Sequence, residues 1–308
     1  MNYILLWVII VIVNKVKEEN VVMVSIFRHS NRTNYIDFSN NKPFLLKEGF
    51  EFAYQSGKTM KDDLKIKENI MPNNTKCYTT TKPRAIQSLT LRIAGINNNR
   101  TIIDNAYKNV DNISYYNEMN NKYCTFIENH EYLFPSKKCD KKIQSILLEN
   151  KDFISYSSAI LKQLKEIDTF RRYYNSKKAY YTNRDNSSPY HKLYLIADYL
   201  DKTKEKLSTE EVKMFSLLNG YNRKYLDALT SHASIIKLIV NTFYDIIFDS
   251  FSQAIESNGN YINLLFSTHE IDLISIIKSL EIPFESFLFD YNDSINFILR
   301  LYFIFNII

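Results

Sequence analysis

The chain has 308 residues, enough for one large domain or for a domain that carries an inserted subdomain. Apolar residues make up 45% of it, a share that suits a globular protein with a substantial core. The net charge of +5 is small for this length, and the scattered basic residues show no zinc-finger or RNA-binding pattern, so nucleic acid is excluded as the expected partner.

The chain begins with an apolar run over residues 3–13, which polar Asn14 and Lys15 follow. A bilayer takes about 20 residues to cross, so the run is too short to span it. Its length fits the apolar core of a secretory signal peptide. We therefore expect residues 1–18 to be a signal peptide or a membrane anchor at the N-terminus, and the protein to be secreted or lysosomal/vacuolar. A buried first strand is the alternative interpretation.

Two short apolar runs, residues 21–27 and residues 261–267, are typical of strands that are buried on both faces. Each run ends abruptly in a polar segment that holds a histidine. His29 follows the first run, and His269 follows the second. In parallel α/β sheets, ligands bind beyond the carboxyl ends of the strands, so these two segments are candidates for one binding site.

The other predicted elements alternate between helix and strand. A helix is predicted over residues 46–64, where apolar or small side chains recur every three or four positions, and a short strand over residues 77–80. Pro83 is suited to the first turn of a second helix. Later in the chain, residues 232–248 are predicted to be helical, and residues 294–305 to form one strand or a hairpin.

The middle of the chain, residues 105–230, has a different pattern that is rich in Lys, Asn and Tyr. Ser208 and Glu211 form a plausible capping box before a helix there. We therefore predict an α/β fold, with a mixed, mostly parallel central sheet flanked by helices and a mostly helical inserted cap subdomain. The α/β domain would comprise residues 19–104 and 231–308.

The three cysteines, Cys77, Cys124 and Cys139, do not have the spacing of metal ligands. In an oxidising compartment Cys124 can pair with Cys139 and close a loop of about 15 residues, worth roughly 3 kcal/mol in the chain-entropy model. Cys77 would then be a buried thiol. Sequons such as those at Asn73 and Asn112 are compatible with a secreted glycoprotein.

The segment Arg28-His29-x-x-Arg32 indicates an anion site. Two guanidiniums beside an imidazole in one tight loop repel each other unless an anion lies between them. Arginine offers planar, bidentate donors that match phosphate oxygens. A phosphoryl group is therefore the predicted occupant of this loop.

Four blocks of the sequence resemble the signature of the histidine acid phosphatases, branch 2 of the histidine phosphatase superfamily. Residues 27–34 resemble the family's Arg-His-Gly-x-Arg-x-Pro, and residues 46–49 with the helix through Gly57 are similar to its Leu-Thr-x-x-Gly … Gly segment. Residues 79–88 are similar to Ser-Thr-Asp-x-x-Arg-x-x-x-Ser, and residues 267–270 lie where the family has its His-Asp pair. The blocks keep the family's order and cover about half of the chain.

The resemblance implies a phosphomonoester hydrolase that acts through a phosphohistidine intermediate on a small-molecule phosphate monoester. His29 would attack phosphorus, and Glu270 would protonate the leaving alcohol. No metal or other cofactor would be required, because guanidiniums offset the charge of the transition state. The residues that would bind the phosphoryl oxygens are Arg28, Arg32, Arg84 and His269.

Three departures from the family pattern bear on the proposed chemistry. Ser30 replaces Gly, and a Cβ at this position would be strained if the loop required a positive φ. Asn34 replaces Pro, and Glu270 replaces the usual Asp with a side chain one methylene longer. The alternative to an active acid phosphatase is therefore a catalytically weak relative that binds phosphorylated ligands. An inositol polyphosphate phosphatase and a mutase that moves phosphate between hydroxyls are the further options.

Overall fold

The fold is described from a computed structural model of the chain. Within the described residues, five strands form one sheet, and the chain also contains twelve α-helices and a short 3-10 helix. This arrangement confirms the predicted class, a mixed and mostly parallel sheet flanked by helices. The structure describes residues 16–31, 44–63, 66, 70–128, 140–175, 189–256, 262–281 and 293–304.

The sheet has the strand order β3-β2-β4-β1-β5. The first three neighbouring pairs are parallel, and the last strand runs antiparallel to its neighbour at one edge. The C-terminal segment is therefore one strand and not a hairpin. The strands are β1 (Val16–Arg28), β2 (Thr75–Thr79), β3 (Thr125–Glu128), β4 (Ile262–Thr268) and β5 (Ser294–Ile304).

In the described part of the chain, one helix lies between β1 and β2, three lie between β2 and β3, and the remaining helices lie after β3, with β4 between the last two of them. The helices before β3 are α1 (Lys47–Asp63), α2 (Pro83–Ile96), α3 (Arg100–Lys108) and α4 (Ile113–Tyr123). The helices after β3 are α5 (Asp140–Glu149), α6 (Lys151–Leu164), α7 (Asp168–Asn175), α8 (Pro189–Lys202), α9 (Thr209–Leu218), α10 (Tyr221–Thr230), α11 (Ala233–Glu256) and α12 (Glu270–Ser279).

The side chains of β1 alternate between two apolar cores, one on each face of the sheet. Val24 and Ile26 join the larger core, which the helices of the second half fill. Met23 and Phe27 face the opposite core, where α2 packs on the sheet. Because both faces are covered, residues 22–27 of β1 are all apolar except Ser25, whereas a strand with one exposed face would alternate.

The helices of the predicted insert share an apolar core with the sheet. Phe153 of α6, Leu193 of α8 and Tyr225 of α10 belong to the same buried cluster as Val24 of β1 and Phe266 of β4. The helical part therefore shares a continuous core with the sheet. Its capping box forms as predicted, with Ser208 and Glu211 at the start of α9.

The predicted boundary of the insert at residue 105 needs a correction. The strand β3 lies beyond that boundary and pairs in parallel with β2, with Cys77 opposite Phe126. The sheet therefore continues into the segment predicted to be the insert. Only four residues form this strand, and Thr125 is exposed, so its sequence carries no buried apolar run that would predict a strand.

The predicted pairing of Cys124 with Cys139 is wrong. A disulfide bond joins Cys124 to Cys77, with the two Cα atoms 5.9 Å apart. Cys77 lies in β2, and Cys124 immediately precedes β3, so the parallel pairing of these two strands brings the cysteines together. The prediction failed because it placed Cys124 in a helical insert instead of beside the sheet. Cys139 lies outside the described residues.

The strand β1 begins within residues 1–18, the segment predicted to be a signal peptide or a membrane anchor. Val16 is opposite Ile304 of β5, and Lys17 and Glu18 continue the pairing, whereas residues 1–15 lie outside the described part. In the described ranges, no helix is both long enough and apolar enough to span a membrane.

Candidate active site

Three neighbouring strands end at one edge of the sheet, and polar side chains follow each of them. In the parallel pair of β1 and β4, Arg28 is opposite Thr268, so His29 and His269 come next on adjacent strands. On the other side of β4 lies β2, which ends immediately before Thr80. The two histidines are 240 residues apart in the sequence, yet their ring centres are 5.3 Å apart.

His29 is buried at the end of β1, and both of its ring nitrogens make contacts. Its Nδ1 is 2.9 Å from the carbonyl oxygen of Ser30, which can only accept, so Nδ1 carries the proton. The Nε of Arg84 donates a hydrogen bond to Nε2 of His29 over 2.8 Å. The ring is therefore in the neutral form with its lone pair on Nε2, as a nucleophilic imidazole requires.

Arg84 contacts His29 from the first turn of α2, which Pro83 opens. A helix N-terminus favours anions, so the side chain and the helix that carries it suit the same ligand. One turn further along, the hydroxyl of Ser88 accepts a hydrogen bond of 2.9 Å from the backbone N–H of Ser30. Helix α2 thus fixes both the His29 ring and the loop that follows it.

His269 lies beside His29, and their rings meet edge to face at an interplanar angle of 74°. The Nε2 of His269 is 3.1 Å from the hydroxyl oxygen of Thr80, which follows β2. The side chain is buried, with 7% of its surface exposed. The hydroxyl fixes the ring orientation from the neighbouring strand end.

The turn between β4 and α12 is held by a fully buried carboxyl, that of Asp272. Its Oδ2 accepts a hydrogen bond of 3.1 Å from the backbone N–H of His269 and a second from the hydroxyl of Thr268. Burial raises the pKa of Asp272 to about 7, although both hydrogen bonds act in the opposite direction. Glu270, the predicted proton donor, lies in this same turn.

Arg28 and Glu270 form an ion pair at the edge of the site. The Nη2 of Arg28 is 3.3 Å from Oε2 of Glu270, and both side chains are largely buried. The backbone N–H of Arg28 donates to the carbonyl oxygen of Asp293, just before β5, over 2.9 Å. The guanidinium and the carboxyl, which belong to the residues next to His29 and His269 in the chain, are therefore in contact with each other.

The loop after His29 accommodates Ser30 without the strain that a left-handed backbone would cause. Among the described residues other than glycine, only Asn98 and Glu281 have a positive φ. The loop also packs against α1, where a Cβ at Gly49 would overlap the carbonyl oxygen of Asn31. The sequence segment around Gly49 is thus tied to the loop by close packing of the backbone.

The structure brings together five of the six predicted site residues. His29, His269 and Arg84 are joined by ring and guanidinium contacts, and Arg28 pairs with Glu270, each of the two being the chain neighbour of a site histidine. The sixth residue, Arg32, lies outside the described residues, as does Asn34.

Sequence reasoning did not single out Thr80, Ser88 or Asp272, although each contacts a site residue or its loop. Thr80 and Ser88 lie in the segment that carries Arg84, at spacings of four residues on either side of it. Asp272 lies three residues after His269, the spacing at which an acidic side chain caps a helix N-terminus. That spacing was a signal from which Asp272 could have been predicted.

A second arginine of α2 lies beneath the site. Arg92 is fully buried, and its guanidinium lies 3.9 Å from the ring centre of Phe27, the residue two positions before His29. Burial lowers the pKa of Arg92 to about 9, and the carboxylate of Asp293 partly counters this effect. The cation packs on β1 through its interaction with the aromatic face.

No family model and no curated protein sequence matches the chain. Among solved structures, the chain is similar to a phosphoglycerate mutase from Bacillus anthracis str. Sterne, with 13% identity, a TM-score of 0.34 and coverage of 94% of this chain and 93% of that one. It is also similar to the phytase of Klebsiella sp ASR1, with 11% identity, a TM-score of 0.48 and coverage of 92% and 80%. Both TM-scores lie below 0.5, and the function is therefore inferred from the residues of this chain.

Proposed function

We propose that the protein is a phosphomonoester hydrolase of the histidine acid phosphatase type, which transfers a phosphoryl group to Nε2 of His29 and then to water. The observation that carries this proposal is the pair of contacts on the His29 ring. The Ser30 carbonyl holds the proton on Nδ1, and Arg84 lies 2.8 Å from Nε2. An anion that binds the Arg84 guanidinium is thereby brought to the nucleophilic nitrogen.

The phosphoryl oxygens would be bound by the cations around His29. Arg84 offers its guanidinium from the first turn of α2, and Arg28 offers its own from the end of β1. His269 adds a ring nitrogen from the next strand end. These groups would offset the charge that develops on the phosphoryl oxygens as the ester bond breaks. Arg32 is also included among the proposed phosphoryl-binding residues, because it belongs to the Arg28-His29-x-x-Arg32 motif of the sequence.

Glu270 is proposed to handle the proton of the leaving group. In the first step, the Nε2–P bond forms, the P–O bond to the alcohol breaks, and the Glu270 carboxyl gives its proton to the leaving oxygen. In the second step, water attacks phosphorus, the Nε2–P bond breaks, and the Glu270 carboxylate takes a proton from the water. Each turnover thus returns His29 and Glu270 to their starting forms.

A small-molecule phosphate monoester is the proposed substrate, and an oxidising compartment is the proposed location. The disulfide between Cys77 and Cys124 supports such a compartment, because structural disulfides persist where thiols are not kept reduced.

The decisive experiment measures turnover of p-nitrophenyl phosphate at about pH 5, where a carboxyl proton donor is available. Radiolabelled phosphate should be trapped on the parent protein by an alkaline quench, because phosphohistidine is labile in acid. Peptide mapping should place the label on His29. His29→Ala should abolish both turnover and trapping while the protein keeps its folded circular dichroism spectrum.

His191, which contacts Tyr225 in the helical part, supplies the matched control. His191→Ala should keep the turnover and the label at His29. No turnover in the parent, or a label on another residue, would contradict the proposal. Binding of inorganic phosphate without turnover would favour the catalytically weak relative, and transfer of the label to an added phosphosugar would favour a mutase.

A further inference from the structure

Asp272 lies at the turn that carries both His269 and Glu270, and it is not one of the residues proposed to bind or transfer the phosphoryl group. Its carboxyl is fully buried. Its Oδ2 accepts hydrogen bonds from two consecutive residues, from the backbone N–H of His269 over 3.1 Å and from the side chain of Thr268. In return, its own backbone N–H donates to the carbonyl oxygen of His269 over 3.1 Å. The end of β4 and the first turn of α12 are thus joined through one side chain.

This arrangement constrains both functional side chains of the turn. The backbone of His269 is fixed by Asp272, and its ring is fixed by Thr80 over 3.1 Å. Glu270 lies between His269 and Asp272 in the chain, so its Cα position depends on the same turn. A shift of the turn by a fraction of an ångström would move the Glu270 carboxyl relative to His29, and misplacement by about 1 Å can cost about 100-fold in rate.

We propose that Asp272 is a positioning residue, which sets the Glu270 carboxyl at the distance from the leaving oxygen that proton transfer requires. This inference rests on the proposed function, because it assigns Asp272 to the proton-transfer step of that reaction. Asp272 does not contact the substrate. It acts through the backbone of His269 and the hydroxyl of Thr268.

The chemistry of the carboxyl makes one substitution informative. Both observed contacts use Oδ2 as an acceptor, which an asparagine amide oxygen can replace. The raised pKa of Asp272 also means that a neutral side chain is tolerated at acidic pH. Asp272→Asn therefore keeps the acceptor, and Asp272→Ala removes it. A positioning role predicts that the first variant retains the activity that the second loses.

The test compares two substrates that differ in the need for proton transfer. An alkyl ester such as glycerol phosphate needs a proton on its leaving oxygen, whereas p-nitrophenolate leaves without one. Asp272→Ala should lower the rate constant for phosphorylation of His29, measured in a single turnover, by about 30-fold to 100-fold with the alkyl ester and by less than about fivefold with the aryl ester, and should leave the Kd of either ester nearly unchanged. Asp272→Asn should stay within about threefold of the parent on both esters.

Ser275→Ala is the matched control, since Ser275 is also fully buried in α12 and its hydroxyl donates within the helix, to the carbonyl oxygen of Ile271. It should leave the ratio of the two rates unchanged. If Asp272→Ala does not fold, Thr268→Val removes one of the two donors and should show the same preference for the aryl ester. A loss that is equal on both esters would overturn the inference, whereas absence of turnover in the parent would refute the proposed function itself.

Discussion

The Nη2 of Arg28 lies 3.3 Å from Oε2 of Glu270, so a proposed phosphoryl ligand and the proposed proton donor touch each other. Arg28 belongs to the end of β1, and Glu270 opens α12. The pairing of β1 with β4 therefore sets the distance between the two groups. Substrate that binds Arg28 would place its leaving oxygen close to the Glu270 carboxyl.

The first prediction concerns the two proton transfers assigned to Glu270. Glu270→Gln should lower kcat on glycerol phosphate by about 100-fold or more, because the amide cannot protonate the leaving alcohol. With p-nitrophenyl phosphate the first step still proceeds, but attack of water loses its base. The amount of phosphohistidine trapped on His29 should therefore rise in this variant, as measured by alkaline quench and peptide mapping.

Glu118 in α4 provides the comparison, because it is exposed and forms an ion pair with Lys122 one turn further along the same helix. Glu118→Gln should leave both rates and the trapped fraction at the parent values. Equal losses on both esters without accumulation of phosphohistidine would show that Glu270 does not transfer the proton.

The second prediction concerns Arg84, whose Nε contacts the attacking nitrogen of His29. Arg84→Ala should lower kcat/KM by about 100-fold or more, and inorganic phosphate should inhibit it more weakly, because charge-assisted hydrogen bonds to the anion are lost. Arg84→Lys keeps the charge but not the planar fork, so an intermediate loss is expected. Arg100, an exposed arginine paired with Glu51, is the control, and Arg100→Ala should not change either quantity.

The strands that frame the site could be predicted because each is buried on both faces. The apolar runs within β1 and β4, residues 22–27 and 262–266, are broken only by the buried Ser25 and Asn263, and a polar residue follows directly at the carboxyl end of each run. Such a change of composition marks where a buried strand leaves the sheet. The sequence therefore predicted that His29 and His269 each lie just beyond the carboxyl end of a buried strand. Their proximity results from the parallel register of those two strands.

What the sequence did not reveal depends on partners that are distant along the chain. The short strand β3 is recognisable only through its pairing with β2, and the disulfide of Cys124 with Cys77 depends on that pairing. Likewise, the buried charge of Arg92 is understandable only beside Phe27 and Asp293. Local periodicity contains no information on such contacts, because they arise when the sheet assembles.

The third prediction tests the disulfide through the stability of the protein. The bond between Cys77 and Cys124 spans 47 residues of sequence, which corresponds to roughly 4 kcal/mol in the chain-entropy model. Cys77→Ser and Cys124→Ser should each lower the free energy of unfolding by an amount of this order, measured by urea denaturation. Reduction of the parent with dithiothreitol should have the same effect.

Cys139→Ser distinguishes this pairing from the one that the sequence alone suggested. It should leave the free energy of unfolding and its sensitivity to dithiothreitol unchanged. Loss of stability in Cys139→Ser together with none in Cys77→Ser would instead establish a bond between Cys124 and Cys139.

The last prediction concerns the buried carboxyl of Asp272, which has a pKa of about 7 in the folded protein against 3.8 as the ordinary value. Between these two values the folded chain binds more protons than the unfolded chain. The contribution of Asp272 to stability is therefore fully present below pH 3.8 and is lost as the pH rises through about 7.

Asp272→Asn lacks this dependence, because its amide does not ionise. The free energy of unfolding of the variant, minus that of the parent, should therefore increase with pH, by on the order of 4 kcal/mol between about pH 4 and pH 8. Urea denaturation at a series of pH values measures this difference. Ser275→Ala, a non-titrating change in the same helix, should differ from the parent by a constant amount over the same range. A constant difference for Asp272→Asn as well would mean that the carboxyl is already ionised at acidic pH, and that its contacts with Thr268 and His269 outweigh the cost of burial.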